Sequence, residues 1–426
     1  MNPKNIVWAG LVIAAGALLF IVLASAGCAF QPLLSQVSVA PARISPNADG
    51  KDDVTLISYR ISRSANVSIY FERAGDPSQR FYFRQERRRS QGRYNVYWGG
   101  VIEGETRYES QFTTATVKRK VLPNGLYNWF IEAVDDAGRR QVVQGALEIV
   151  DADTQLPELQ NFSVSPQEFT PNQDGIDDRV AIDYYLTKQA DVRVYLLGPD
   201  GAQYPLAEKE REVKPGEVGL HVYDYDGGVD RGADPPADGT YTVVAEAEDR
   251  VGQLVVVNST LTIKEGGVPR ADIVQAYVEF WPTIVPLGGT LYFTATVENF
   301  GKVPIRTSGP PPATPYRSDQ NFNSLQWYEE PGVWRFGIDF ETNSTGRPYP
   351  YRYAIGNENA LTVRVINGKE YRYLMPGQRA LITGSIQIVD KPPRNPIYFW
   401  GGLIHEDVRI DAFNDHVSPK QISIGF

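Results

Sequence analysis

Cysteine, methionine and histidine are nearly missing from this chain of 426 residues, which has one, two and three of them. A lone thiol, Cys28, excludes any intrachain disulfide, so the domains must hold together by burial alone. His221, His405 and His416 leave little for general-base or metal chemistry. His405-Glu406-Asp407, with Asp411, Asp415 and His416, has the composition of a metal cluster. The surrounding WGGLIHEDVRIDAF reads as a strand, however, where neighbours face opposite ways, so solvated strand-end charge is expected there. No Gly-Lys-Ser/Thr loop, nucleophile elbow or dinucleotide fingerprint appears, and an enzymatic reading has no motif to rest on.

The formal charge of −9 argues against nucleic-acid binding but is unevenly spread. Basic against acidic residues number 17 to 13 in 36–150, 9 to 20 in 156–264 and 15 to 16 in 265–426. The acidic middle suits cations. The basic run FYFRQERRRSQGR (81–93), with Lys118-Arg119-Lys120, reads either as a contact for anionic lipid headgroups and wall polymers or as a solvated strand face.

Ile6 to Ala26 is an uncharged run of 21 residues, about 31 Å as a helix and long enough to cross a bilayer. Cys28 follows the small residues Ser25, Ala26 and Gly27, which resembles a bacterial lipobox with Ser25 where Leu is usual. Residues 1–28 therefore read as a lipoprotein signal lipidated at Cys28, an uncleaved transmembrane anchor, or a cut secretory signal. Each places the rest outside the cytoplasm.

Pro46 to Tyr70 aligns without a gap on Pro171 to Tyr195, with 11 of 25 positions identical. NGLYNWFIEAVDDAGRR from Asn124 then answers DGTYTVVAEAEDRVGQ from Asp238, at an offset of 114 instead of 125. A duplicated domain follows, covering 36–150 and 156–264, with 11 residues fewer in the middle of the second copy. Both blocks alternate at period two between Gly/Asp/Pro turns, which predicts antiparallel β-sandwiches.

The Asp-Gly-Gly and acidic Gly-rich loop, Asp238-Gly239-Thr240-Tyr241, Ala247-Glu248-Asp249 and Gly252 resemble the Ig-like domain of flagellar hook-capping proteins. The Ser/Thr-Pro-Asn-x-Asp-Gly opening resembles surface modules of gliding and secreted bacterial proteins. The resemblance implies a module and no activity. The expected fold is all-β: tandem Ig-like sandwiches behind an N-terminal hydrophobic helix.

From Val268 the repeat is lost. PLGGTLYFTATVENFG (286–301) and PGQRALITGSIQI (376–388) resemble CARDB-like Ig modules, giving a third domain over 268–426. Residues 304–353 read as a long insertion carrying Trp327, Trp334, Tyr349, Tyr351 and Tyr353 among arginines. Exposed, such rings would bind sugars or a protein partner; folded back, they would form a satellite core.

The duplicated acidic turns, SPNADGKDD and TPNQDGIDD, have the spacing of a calcium loop without its final bidentate Glu. Asn47, Asp49 and Asp53, and Asn172, Asp174 and Asp178, are the candidate ligands. At the first joint Asp151, Asp153 and Asp249 are expected to complete the shell; otherwise these stretches are turns. The expected function is a non-catalytic, membrane-anchored stalk, calcium-stiffened at its joints. It would present its third domain to envelope or surface proteins, or alternatively bind cell-wall glycans through the aromatic insertion.

Overall fold

A computed structural model describes residues 31–410 and 412–425; the predicted anchor and Cys28 lie outside them. Among the described residues helical structure is limited to 3-10 turns, and no helix is long and apolar enough to cross a membrane. The strands surround three hydrophobic cores.

The first copy contains β1 (Leu34–Ala40), β2 (Arg43–Ile44), β3 (Thr55–Ile61), β4 (Ala65–Arg73), β5 (Asp76–Arg89), β6 (Gly92–Trp98), β7 (Val101–Glu109), β8 (Thr114–Val121), β9 (Gly125–Asp135) and β10 (Arg140–Ile149). The second contains β11 (Leu159–Ser165), β12 (Glu168–Phe169), β13 (Val180–Leu186), β14 (Ala190–Leu197), β15 (Gln203–Pro205), β16 (Gly219–Tyr225), β17 (Gly239–Asp249) and β18 (Leu254–Ile263). In the first copy a sheet β1-β3-β6 faces a sheet β2-β10-β9-β4-β5. Period-two alternation fills the space between them. Val67, Ile69 and Phe71 of β4 are buried together with Tyr127, Ile131 and Ala133 of β9.

The second copy repeats this plan. The first strand of each bulges, between Ser35 and Ser38 or between Gln160 and Ser163. A two-residue strand then crosses to pair in parallel with the last one, β2 with β10 and β12 with β18. Tyr127 donates its hydroxyl to the Pro123 carbonyl and Tyr241 to that of Ala237, pinning equivalent corners.

The copies differ between Trp98 and Gly125. There the first runs out through the hairpin β7–β8, where the second has an acidic loop with one 3-10 turn, Val229–Arg231. The hairpin leaves its own module and joins the next. β8 pairs antiparallel with β18, giving a sheet ordered β15-β14-β17-β18-β8-β7. Ala115 and Val117 of β8 are thereby buried in the second copy's core.

The third segment keeps the same plan although the sequence repeat has gone. Ala271–Trp281 bulges between Ile273 and Val278, and Ile284–Pro286 pairs in parallel with the last strand, Val417–Gly425. The expected insertion is sheet, not loop. Strand Trp334–Phe340 lies centrally, between Ile397–His405 and the short strands Ile305–Thr307 and Tyr351–Ala354.

Candidate functional sites at the module joints

The first acidic turn organises itself. Asp53 accepts the amides of Asn47 (3.2 Å), Ala48 (2.8 Å) and Gly50 (2.8 Å). Asn47 Oδ1 accepts the Asp49 amide, and Asp49 Oδ1 that of Lys51. Ala48 and Asp52 sit at positive φ (61° and 52°), as do Gln173 and Asp177 in the second turn (56° and 52°). The two turns are one structure built twice.

The cation at the first joint is a lysine. Lys188 Nζ lies 2.7 Å from Asp153 and 2.6 Å from Asp249 and also donates to the Gln155 carbonyl. Asp249 has a twin in the first copy. Asp135 accepts the Arg139 amide and pairs with Arg63, just as Asp249 accepts the Gln253 amide and pairs with Lys188. The carboxylate therefore closes a turn within its own module. Asp151 is exposed, at φ 47°. Amides take the oxygens of Asp53, and Lys188 takes one oxygen each of Asp153 and Asp249. Among the described residues no group of three or more His, Cys, Asp or Glu is arranged to hold a metal.

Gln253, unremarked in the sequence, ties this joint together. It is fully buried; its side chain accepts the Val121 amide from the hairpin and donates to the linker carbonyls of Asp153 and Gln155. Near it Arg119 pairs with Glu248, and at the far tip of the hairpin Thr113 donates to the Leu159 carbonyl.

The second acidic turn is buried against the third module. Asp178 accepts three amides, from Asn172, Asp174 and Gly175. Asn172 Oδ1 takes the Asp174 amide, and Asp174 Oδ2 accepts the Tyr373 hydroxyl at 2.8 Å. His405 Nε2–H donates to the Gln173 carbonyl (2.7 Å), and Arg364 forks onto Glu265. Burial, with Asp174 beside it, pushes the Asp178 carboxyl up to about 6. Burial also raises Asp174 and holds His405 down to about 4.

These shifts oppose each other. Asp178 favours the closed joint below pH 4 and loses that contribution as pH rises through about 6. His405 contributes above its unfolded value near 6.5 and loses its contribution as pH falls toward about 4. The Asp178 and His405 arms therefore partly offset each other in urea unfolding of the third module between pH 4 and 6.5. His405→Gln keeps the donor to Gln173 and removes one arm. Stability should then rise by up to about 3 kcal/mol as pH falls from 7 to 4; an unchanged pH profile would contradict the assignment.

The aromatic residues are core and not a platform, which corrects the ligand-binding expectation. Trp334, Tyr349, Tyr351 and Tyr353 are each at most 1% exposed, and Trp327 packs partly buried against the same core. Their arginine neighbours are buried as well. Glu406 accepts from Arg335 Nη1 at Oε1 (3.0 Å) and from Arg352 Nη1 at both of its oxygens (2.8 and 2.9 Å). Exposure of the three side chains is 0%, 5% and 3% for Arg335, Arg352 and Glu406. The expected solvated charge at 405–406 is thus overturned: His405 and Glu406 face the joint and the interior. His221 is buried between Glu208 and the Glu217 carbonyl, and His416 stacks on Trp400. The basic run forms β5 on a sheet edge, where Arg80, Arg87 and Arg88 pair with Glu72, Glu103 and Asp136.

No protein-family model matches the chain, and no curated protein matches it. Similar solved structures include E. coli alpha-2-macroglobulin, at 11% identity over 92% of this chain and 23% of that one, with a TM-score of 0.18. A Ca2+-stabilized adhesin with which an Antarctic bacterium binds ice is 12% identical, over 88% and 83%, with a TM-score of 0.23. Fibronectin(III)-like modules of Clostridium thermocellum CbhA are 12% identical, over 54% and 93%, with a TM-score of 0.19.

Proposed function

We propose that this chain is a non-catalytic, extracytoplasmic surface protein: a stiff stalk of β-sandwich modules, anchored by residues 1–28, that holds its third module at a fixed distance for adhesion. The observation that carries this reading is the hairpin β7–β8, which is built into the sheet of the following module. A flexible tether needs no such device, whereas a spacer that must keep its direction does. The second joint, closed by Tyr373, His405 and Arg364, supports the same reading.

Stiffness here comes from Lys188, Gln253 and the hairpin without calcium. Thermal melting is expected to be the same with EGTA as with millimolar calcium; a rise of several degrees with calcium would return the acidic turns to metal binding. The reading is tested on cells making the full chain. It should fractionate with membranes, be cut by protease added outside, and be released by Cys28→Ser if the lipobox holds it. Full protection from external protease would overturn the surface placement.

A further inference from the structure

Among the described residues, the Arg140–Val142 stretch of β10 has no strand on its outer edge, where its twin in the second copy has one. β10 pairs with β9 throughout but with β2 only at Glu148 and Ile149. The equivalent stretch of β18, Leu254–Val256, is the one that receives β8. The amides of Glu148 and Val150 reach out to the Ala42 and Ile44 carbonyls. On the two-residue period of a strand, those of Val142, Gln144 and Ala146 point the same way. The flank below is half open too: Val39 and Val143 are only partly buried, where their counterparts Val164 and Val257 are 7% and 3% exposed.

Exposed edges are usually blunted by charge or proline. β5 carries arginines, and β7 carries Glu103, Glu105, Arg107 and Glu109. From Gln141 to Ala146, β10 has neither. Its outer face reads Arg140, Val142, Gln144, Ala146, Glu148: positive, apolar, amide, apolar, negative. Turned antiparallel about Gln144, this series is its own complement. Arg140 then meets the second copy's Glu148, Val142 meets Ala146, and Gln144 meets itself. The corresponding series in β18, Leu254, Val256, Asn258, Thr260 and Thr262, has no such symmetry.

We propose that β10 is the pairing edge for a second copy of this chain, joined about Gln144 across a two-fold axis into one continuous sheet. Arg140 already forks onto Glu132, and Glu148 lies 3.4 Å from Arg43. All but Glu132 of these groups are well exposed, and each is shared across the axis. β2 limits the contact to a few residues, so association is weak and depends on concentration.

The test is a disulfide. In the full chain carrying Cys28→Ser no other thiol remains. Gln144→Cys brings two Cα atoms to about 5.5 Å across the axis, within disulfide reach. Val142→Cys leaves them four residues out of register, about 13 Å apart. With both variants melting like the parent, mild oxidation should give covalent dimer at least tenfold faster for Gln144→Cys. Equal rates overturn the register. No dimer from either overturns the second-copy assignment, and that is also the outcome if a strand of a different protein takes the edge.

Discussion

Glu406→Ala is expected to lower the melting temperature of the third module by roughly 10 °C. Glu406 is the carboxylate that bridges Arg335 of strand Trp334–Phe340 and Arg352 of strand Tyr351–Ala354, both buried. Removing one member of a buried ion pair costs about 3–5 kcal/mol, because the remaining charge keeps its desolvation penalty without compensation. Here two guanidiniums are left. Their other hydrogen bonds go to main-chain carbonyls of Ser308, Tyr328, Pro348 and Tyr349, and the one remaining countercharge beside Arg352 is the exposed Glu329 at 3.7 Å. Glu406→Gln keeps an acceptor and should fall between. Replacing all three residues by apolar side chains of similar volume should cost less than Glu406→Ala alone. Calorimetry separates these outcomes, and a loss under 1 kcal/mol for Glu406→Ala would show that water reaches the triad.

Gly332→Ala should open the second joint without unfolding any module. A Cβ there would lie 2.2 Å from the Asp174 carbonyl carbon and 2.3 Å from the Gly175 nitrogen, both main chain and unable to yield. Gly332 also sits at φ +77°, a conformation that costs other residues roughly 1–2 kcal/mol. Gly175→Ala meets the Pro331 carbonyl oxygen at 2.3 Å from the other side and should behave alike. The control is already in the chain. Gly50 is the counterpart of Gly175 in the first turn, has a similar φ of +87°, and has nothing within 4 Å of its Cβ position. Gly50→Ala should show strain alone. Proteolysis near Glu265 and small-angle scattering would read the opening; equal cleavage in Gly332→Ala and Gly50→Ala would mean the backbones slide apart at little cost.

The β-sandwich plan was legible because it rests on local rules: period-two alternation, Asx turns and a repeat with 11 of 25 positions identical. What escaped was pairing at a distance. Nothing in TATVKRKV (114–121) announces that its partner is Leu254–Val256 and not a strand of its own module. Trp334 and Tyr351 beside arginines left platform and satellite core both open because Glu406, which neutralises those arginines, lies far along the chain. The acidic turns allow two readings for a different reason. A carboxylate at Asp53 serves three amides from the same spacing at which it would serve a calcium ion. In the third segment the topology outlasted the sequence: a bulged first strand and a parallel return survive where no repeat can be aligned.

The donated hairpin also changes how the molecule carries tension. A pull between the two ends does not run through the linker 150–158 alone. Part of it passes from the first module into β8 and across its backbone hydrogen bonds to β18. Ala115 and Val117 must leave the second core before the two modules can separate. Detachment under load is then governed by the rate of breaking a sheet, not by the strength of a tether. The first joint thus carries load through a sheet, and its extra strand sets the force at which it fails.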